Sequence, residues 1–232
     1  MRSPHELFEG EILLEGRIVD ASNATLFGLI STADSSFPIV YKPIAGERPL
    51  WDFPDGNLAS REVASYLVSV AGGFNCVPTT VLREGPFGVG AVQEWVDVDP
   101  EIDPISLGQS QADGIRNMAL FDVIVNNTDR KFGHILPLNK DEIFGCDHGV
   151  TFHEDFKLRT VIWQFAGEEL SKMERAQVDA VEKWIKNDGH SQLHELLTEA
   201  ELNSTLERID TLRKFGFPMP SEEWPAVPWP PV

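Results

Sequence analysis

Basic residues are scarce: 19 Lys and Arg stand against 37 Asp and Glu, a net charge of −18. Such a chain repels phosphate polymers and anionic head groups unless a local basic patch overrides the field, so no nucleic-acid partner is expected. The acidity itself is read as a means of solubility. Cys76 and Cys146 are too few for a disulfide framework, and thiols in a reducing cytoplasm are the expectation. No apolar run approaches the roughly 20 residues that a bilayer-spanning helix needs. The opening residues, 1–6 (MRSPHE), lack an apolar signal core, so a cytoplasmic protein with no stable membrane insertion is expected. Missing too are a GxxxxGK[ST] loop, a GxGxxG turn, a GxSxG elbow, an HExxH pair and any repeat of 20 to 50 residues.

What is present is ordinary globular composition, 42% hydrophobic and 24% charged, in a length that suits one domain or two small lobes sharing a cleft. Residues 11–19 (EILLEGRIV), 25–31 (TLFGLIS) and 38–44 (PIVYKPI) read as three successive antiparallel strands. Asn57 or Ser60 can cap a helix with Val63, Leu67 and Val70 on one face, stopped by Gly72 and Gly73. Strand character returns at 76–83 and 89–97, across a turn at Gly85 and Pro86.

After a polar connector from 97 to 109, residues 111–126 carry Ile115, Ala119, Val123 and Ile124 at helical spacing. Short strands at 134–138 and 143–146 flank a hairpin turn at 139–142 (NKDE). Helices are predicted at about 171–187 and 198–215, opened by the capping boxes Ser171/Glu174 and Thr198/Glu201 and, for the second, closed by Gly216. Residues 217–232 hold six prolines and two tryptophans, so they are expected to lie extended, with Trp224 and Trp229 packed on the body. The expected organisation is an α+β, two-lobed chain: 1–97 an antiparallel sheet with one helix, 98–216 a mostly helical lobe, 217–232 a tail.

The segments 126–134 (NNTDRKFGH) and 146–153 (CDHGVTFH) concentrate the chemistry. Phosphoryl transfer needs a carboxylate to orient or deprotonate the acceptor and further oxygens for the metal that neutralises the phosphates. Asp129 and Asp147 fit those jobs, each in a loop at the end of an apolar element, and Gly149 is read as allowing a sharp turn after Asp147. Arg130 and Lys131 would add positive charge where the transferred group becomes negative, and Asp122 would brace the loop from behind. Upstream, Lys42 lies among strand residues that should be buried, and a buried ammonium needs an anionic partner. Glu62, on the following helix, is placed to reach back to it.

In that order, Tyr41-Lys42, Glu62, residues 93–96 (QEWV), 127–130 (NTDR) and 147–149 (DHG) resemble the phosphatidylinositol 3- and 4-kinase-like superfamily of atypical kinases, HipA-type protein kinases included. The sequence is similar to an actinobacterial branch of that group over about residues 10 to 170. The resemblance implies an atypical protein-kinase-like fold and ATP with Mg²⁺ or Mn²⁺. It implies that Lys42 contacts the α-phosphate, that Glu94, Trp95 and Val96 form a hinge whose backbone meets adenine, that Asp129 is the catalytic base and that Asp147 is the magnesium ligand. Where the family usually places an asparagine to hold metal, this chain has His134, which suits manganese or zinc better than magnesium, so either the metal preference differs or this side chain has left the metal shell. The phosphate-covering turn, 20–28 (DASNATLFG), is not glycine-rich, although small residues still let backbone N–H groups approach phosphate.

Three functions follow. The first is an ATP-dependent phosphotransferase acting on a protein side chain or a small molecule, a lipid acceptor being disfavoured by the charge. The second is a nucleotide-binding pseudokinase that regulates a partner. The third is a metal-dependent phosphohydrolase built on Asp129, His134, Asp147, His148 and His153.

Overall fold

The structure is a computed structural model and describes residues 1–18, 23–32, 35–139 and 142–232. Strands β1 (Glu11–Arg17), β2 (Leu26–Ser31), β3 (Ser36–Pro43), β4 (Thr80–Gly85) and β5 (Gly88–Glu94) form one antiparallel sheet in the order β1-β2-β3-β5-β4. Alternation along β3 buries Phe37, Ile39 and Tyr41 and turns Val40 and Lys42 to the other face. Helix α1 (Pro4–Glu9) closes one side of this sheet by burying Leu7 against Ile30, Ile39 and Val92. It is absent from the sequence reading, although Pro4 at its first position and a Ser3/Glu6 capping box announce it.

Helix α2 (Leu58–Ala71) packs on the other face of the sheet. Asn57 caps it, its Oδ1 accepting the Ser60 N–H at 2.7 Å. Of the expected apolar face, Val63 is buried and Leu67 packs against the core, whereas Val70 is half exposed; Ala64 and Val68 add to the packing. Those two residues join Phe74, Cys76 and Val77 in the core of the helical region, so packing crosses the boundary drawn at residue 97. Residues 76–79 are not strand, because Asn75 is left-handed and Pro78 has no N–H to give a ladder.

The chain then leaves the sheet through α3 (Pro104–Gly108), a short helix inside the stretch read as a connector. Asp103 caps it and Pro104 opens it. Helix α4 (Asp113–Val125) runs through the middle of the larger core with Ile115, Ala119, Val123 and Ile124 all buried. A two-stranded ladder follows, β6 (Ile135–Pro137) with β7 (Ile143–Gly145). Residues 140 and 141 of its expected turn lie outside the described residues. Helices α5 (Lys172–Ile185), α6 (His190–His194) and α7 (Glu199–Phe215) complete the helical region, and both expected capping boxes form. Glu201 of the second box also pairs with buried Arg61 of α2.

The final residues lie along the body. Of the two tryptophans expected to pack there, Trp224 is partly buried with its Nε1 covered, whereas Trp229 is 86% exposed. Backbone carbonyls do the anchoring: Ala226 O accepts from the Thr160 N–H (3.0 Å) and Trp163 Nε1 (2.9 Å), and Pro231 O from the Phe132 N–H (2.9 Å). Among the described residues no helix is long and apolar enough to cross a membrane.

Candidate active site

Lys42 stands opposite Ala91 on β5, with its ammonium between two acids from distant parts of the chain. Its Nζ contacts Glu62 Oε1 of α2 and lies 2.7 Å from Asp147 Oδ1. Glu62 is buried, and its second oxygen accepts the His148 N–H at 3.1 Å, so one carboxylate ties β3 to the loop after β7. Burial works against the Lys42 charge, but the Asp147 and Glu62 carboxylates outweigh it and hold the ammonium above the ordinary lysine range. Lys42 in turn holds the half-exposed Asp147 well below the usual carboxylate range against the effect of burial, and His134 adds to this.

The loop carrying Asp129 is built at the end of α4. Asn126 ends the helix in the left-handed region, φ 51°, and its amide donates to the carbonyls of His153 (2.9 Å) and Asp155 (2.7 Å). Asn127 donates to Asp122 Oδ1 (3.0 Å) while its own Oδ1 accepts the Asp129 N–H (3.0 Å). Thr128 is fixed to the Val150 carbonyl. Asp129 is thus held with its side chain partly exposed and Lys131 Nζ 3.2 Å from Oδ2.

Arg130 does not face the cleft. It is fully buried, donating to Asp122 through Nε (2.9 Å) and Nη2 (2.8 Å), to the Cys146 carbonyl (3.0 Å) and to His148 Nε2 (2.7 Å). The expectation that it supplies charge to the transferred group is corrected. Its guanidinium is a brace between the two loops, and Asp122 bears on the site through it. Because Arg130 can only donate, His148 Nε2 must accept, so the His148 ring is neutral. Burial and the Arg130 charge accordingly push its pKa well below the usual histidine value.

The turn after β7 is also built differently from the sequence reading. Asp147 itself adopts φ 61°, and Gly149 does not have a positive φ. Space favours glycine there: a Cβ would come within 3.1 Å of Leu58 Cβ on α2, which would have to give by a few tenths of an ångström. Asn126, Asp147 and Phe152 are all non-glycine residues in the left-handed region, a concentration of backbone strain typical of functional loops. His134 Nε2 lies 3.4 Å from Asp147 Oδ2, and its Nδ1 faces the Lys131 N–H. Burial lowers the His134 pKa, and the Asp147 carboxylate opposes that shift.

A cleft of about 420 Å³ opens between Lys42, Glu62, Asp129 and Asp147, with Asn23, Ala24, Thr25, Leu58 and Gly149 in its walls. That volume is in the range of small-molecule sites. Residues 20–22 of the expected phosphate-covering turn lie outside the described residues, and the Ala24 N–H is committed to the Gly46 carbonyl (3.2 Å). Glu94, Trp95 and Val96 are not in the lining. The Glu94 and Trp95 N–H groups bond to Thr79 O and Pro38 O, and the Glu94 carboxylate accepts the Arg2 N–H. The five-residue grouping expected of a metallohydrolase is not assembled. His148 faces Arg130, His153 packs on Phe53, and among the described residues no cluster of three or more His, Cys, Asp or Glu could hold a metal by itself.

Three cleft residues were missed by the sequence reading. Glu47 lies in the wall, its carboxylate accepting the Leu58 (2.9 Å) and Ala59 (2.8 Å) N–H groups at the start of α2. Arg48 and Arg159 also line the cleft, and neither side chain makes a hydrogen bond or ion pair among the described residues. The Nε of Arg159 is buried without a partner. No motif marks these arginines; only the folded arrangement shows that two unpaired cations in an acidic protein meet at one opening.

No family model matches the chain. It is 36% identical over 260 aligned positions to Protein Rv2133c of Mycobacterium tuberculosis, covering 97% of this chain and 93% of that protein. The chain belongs to the family of that mycobacterial protein. Among solved structures it is similar to a Helicobacter pylori proinflammatory kinase, CtkA, with TM-score 0.49 and 11% identity over 90% of this chain and 93% of that one. A golgi casein kinase is similar with TM-score 0.49 and 12% identity over 90% and 72%.

Proposed function

We propose that the chain is an ATP-dependent phosphotransferase of the atypical kinase type, its acceptor a hydroxyl on a protein or small molecule. The observation that supports this best is Lys42, held by Glu62 and Asp147 in a cleft that also presents Asp129. The donor set fits a magnesium nucleotide. Mg²⁺ is usually held by one or two carboxylates together with substrate phosphates, and Asp147 is the carboxylate that would hold it, leaving Asp129 free for the acceptor proton. Bound there, the metal would neutralise phosphate charge.

Lys42 turns from Asp147 to a phosphate oxygen while Glu62 keeps its ammonium in place. Asp129 takes the proton of the acceptor hydroxyl as its oxygen bonds to the γ-phosphorus. The bond from that phosphorus to the β,γ-bridging oxygen breaks, and its electron pair leaves with ADP. Lys131, 3.2 Å from Asp129, is the cation beside the incoming group. His134, with Nε2 3.4 Å from Asp147 Oδ2, would stay beside that carboxylate instead of joining the metal.

Differential scanning fluorimetry with ATP, with and without Mg²⁺ or Mn²⁺, tests binding, and transfer from γ-labelled ATP tests chemistry. Ligand at 100 times its Kd stabilises by about 2.7 kcal/mol, or roughly 5–11 °C for a chain this size. Metal-dependent stabilisation followed by transfer supports the reading, and no shift with either metal contradicts it. The presence of His134 in place of the family's asparagine favours one second reading, a pseudokinase, which would show the shift without transfer.

A further inference from the structure

We infer that Arg159 is a specificity-determining residue that holds an anionic group of the acceptor, so that the substrate is a hydroxyl compound carrying a phosphate or carboxylate near the hydroxyl. This rests on the phosphotransferase reading and deepens it.

Residues 127–130 and 159–161 run side by side in parallel, with the Arg159 N–H donating to Asn127 O (3.0 Å), Arg130 N–H to Arg159 O (3.0 Å) and Val161 N–H to Arg130 O (3.1 Å). The bridge pairs Arg130 with Thr160, and the Arg159 N–H bond to Asn127 O sets Arg159 beside residues 128 and 129. Arg130 and Thr160 turn into the core at 0% and 2% exposure, whereas Asp129 and Arg159 both line the cleft. Their backbones are therefore roughly 5 Å apart, the spacing of adjacent extended segments.

The guanidinium is not consumed by the protein. Asp129 is engaged by Lys131, and the Arg159 side chain has no hydrogen bond or ion pair among the described residues, with Nε buried and unpartnered. A buried donor left unmade is costly, and an arginine fork matches carboxylate or phosphate in two parallel bonds. Lys42 is the cation assigned to the nucleotide phosphates, which leaves Arg159, beside the Asp129 that receives the acceptor, for the acceptor's own charge.

The test titrates inorganic phosphate into the full chain already saturated with Mg²⁺ and the non-hydrolysable analogue AMP-PNP, followed by calorimetry. Phosphate is expected to bind the nucleotide-loaded protein, Arg159→Gln to weaken it about tenfold or more, and Arg159→Lys to restore part of the loss. Failure of phosphate to bind the loaded protein, or binding indifferent to Arg159→Gln, would overturn the assignment. Failure of AMP-PNP to bind in the first step would instead overturn the phosphotransferase reading. Competition then separates the sources. Displacement of phosphate by glycerol 3-phosphate assigns a small-molecule acceptor, displacement by a serine peptide flanked by glutamates assigns a protein one, and displacement by neither overturns the proposal.

Discussion

Asp122→Asn probes the brace behind the two loops. The native carboxylate accepts three side-chain hydrogen bonds, two from Arg130 and one from Asn127, at 2.8–3.0 Å, and both charged partners are 0% exposed. Asparagine keeps the shape but offers one acceptor oxygen and places an NH2 group against donors, leaving the Arg130 charge buried without its counter-ion. Removing one partner of a buried pair costs about 3–5 kcal/mol, which for a chain of 232 residues is a fall in Tm of roughly 6–20 °C. Urea unfolding and calorimetry measure this directly. A double-mutant cycle of Asp122→Leu with Arg130→Met should give a coupling of about 2–3 kcal/mol, because contacting charged residues lie at the upper end of non-additive pairs. A loss below about 1 kcal/mol for Asp122→Asn, or additivity within about 0.5 kcal/mol in the cycle, would refute the brace and return Arg130 to the cleft.

Lys42→Met and Asp147→Asn should each lower phosphoryl transfer by about 10²-fold or more, read in initial rates with ATP and metal. Glu47→Ala, which uncaps α2, should cost about 1 kcal/mol in urea unfolding, and an unchanged midpoint would show that Glu47 holds nothing. Stability should fall below about pH 6.5, the unfolded histidine value. The depressed pKa of His148 keeps its folded ring neutral, so the unfolded chain takes up the proton first and the stability present above pH 6.5 is lost as pH falls towards the folded pKa. A His148→Gln variant should show a shallower pH slope. Truncation before Trp224 removes the carbonyls that serve Phe132, Thr160 and Trp163, for a loss of about 1 kcal/mol per bond, checked by thermal unfolding.

Much of this architecture was legible because its signals are local. Apolar alternation located the strands, Asn57, Ser171 and Thr198 opened their helices, and an ammonium amid strand residues demanded the acid that Glu62 supplies. Helices α1 and α3 were overlooked although Ser3-Pro4 and Asp103-Pro104 carry first-turn chemistry, since five or six residues give too little periodicity to register. The direction of Arg130 could not be read, because a guanidinium beside a catalytic acid can face either the cleft or the core. That choice is made by Asp122, His148 and the Cys146 carbonyl from elsewhere in the chain. Likewise the preference for glycine at 149 comes from Leu58 on α2 and not from a turn. Arg48 and Arg159 escaped notice because an unpaired cation is defined by the acids that fail to reach it.

The most direct measurement is a crystal structure of the full chain with AMP-PNP and Mn²⁺, located by its anomalous scattering. The expected result is manganese bonded to an Asp147 carboxylate oxygen, a phosphate oxygen within hydrogen-bond reach of Lys42 Nζ, and Asp129 facing the γ-phosphate. Nucleotide bound elsewhere, or Lys42 still closed on Asp147 with the analogue absent at saturating concentration, would contradict the account.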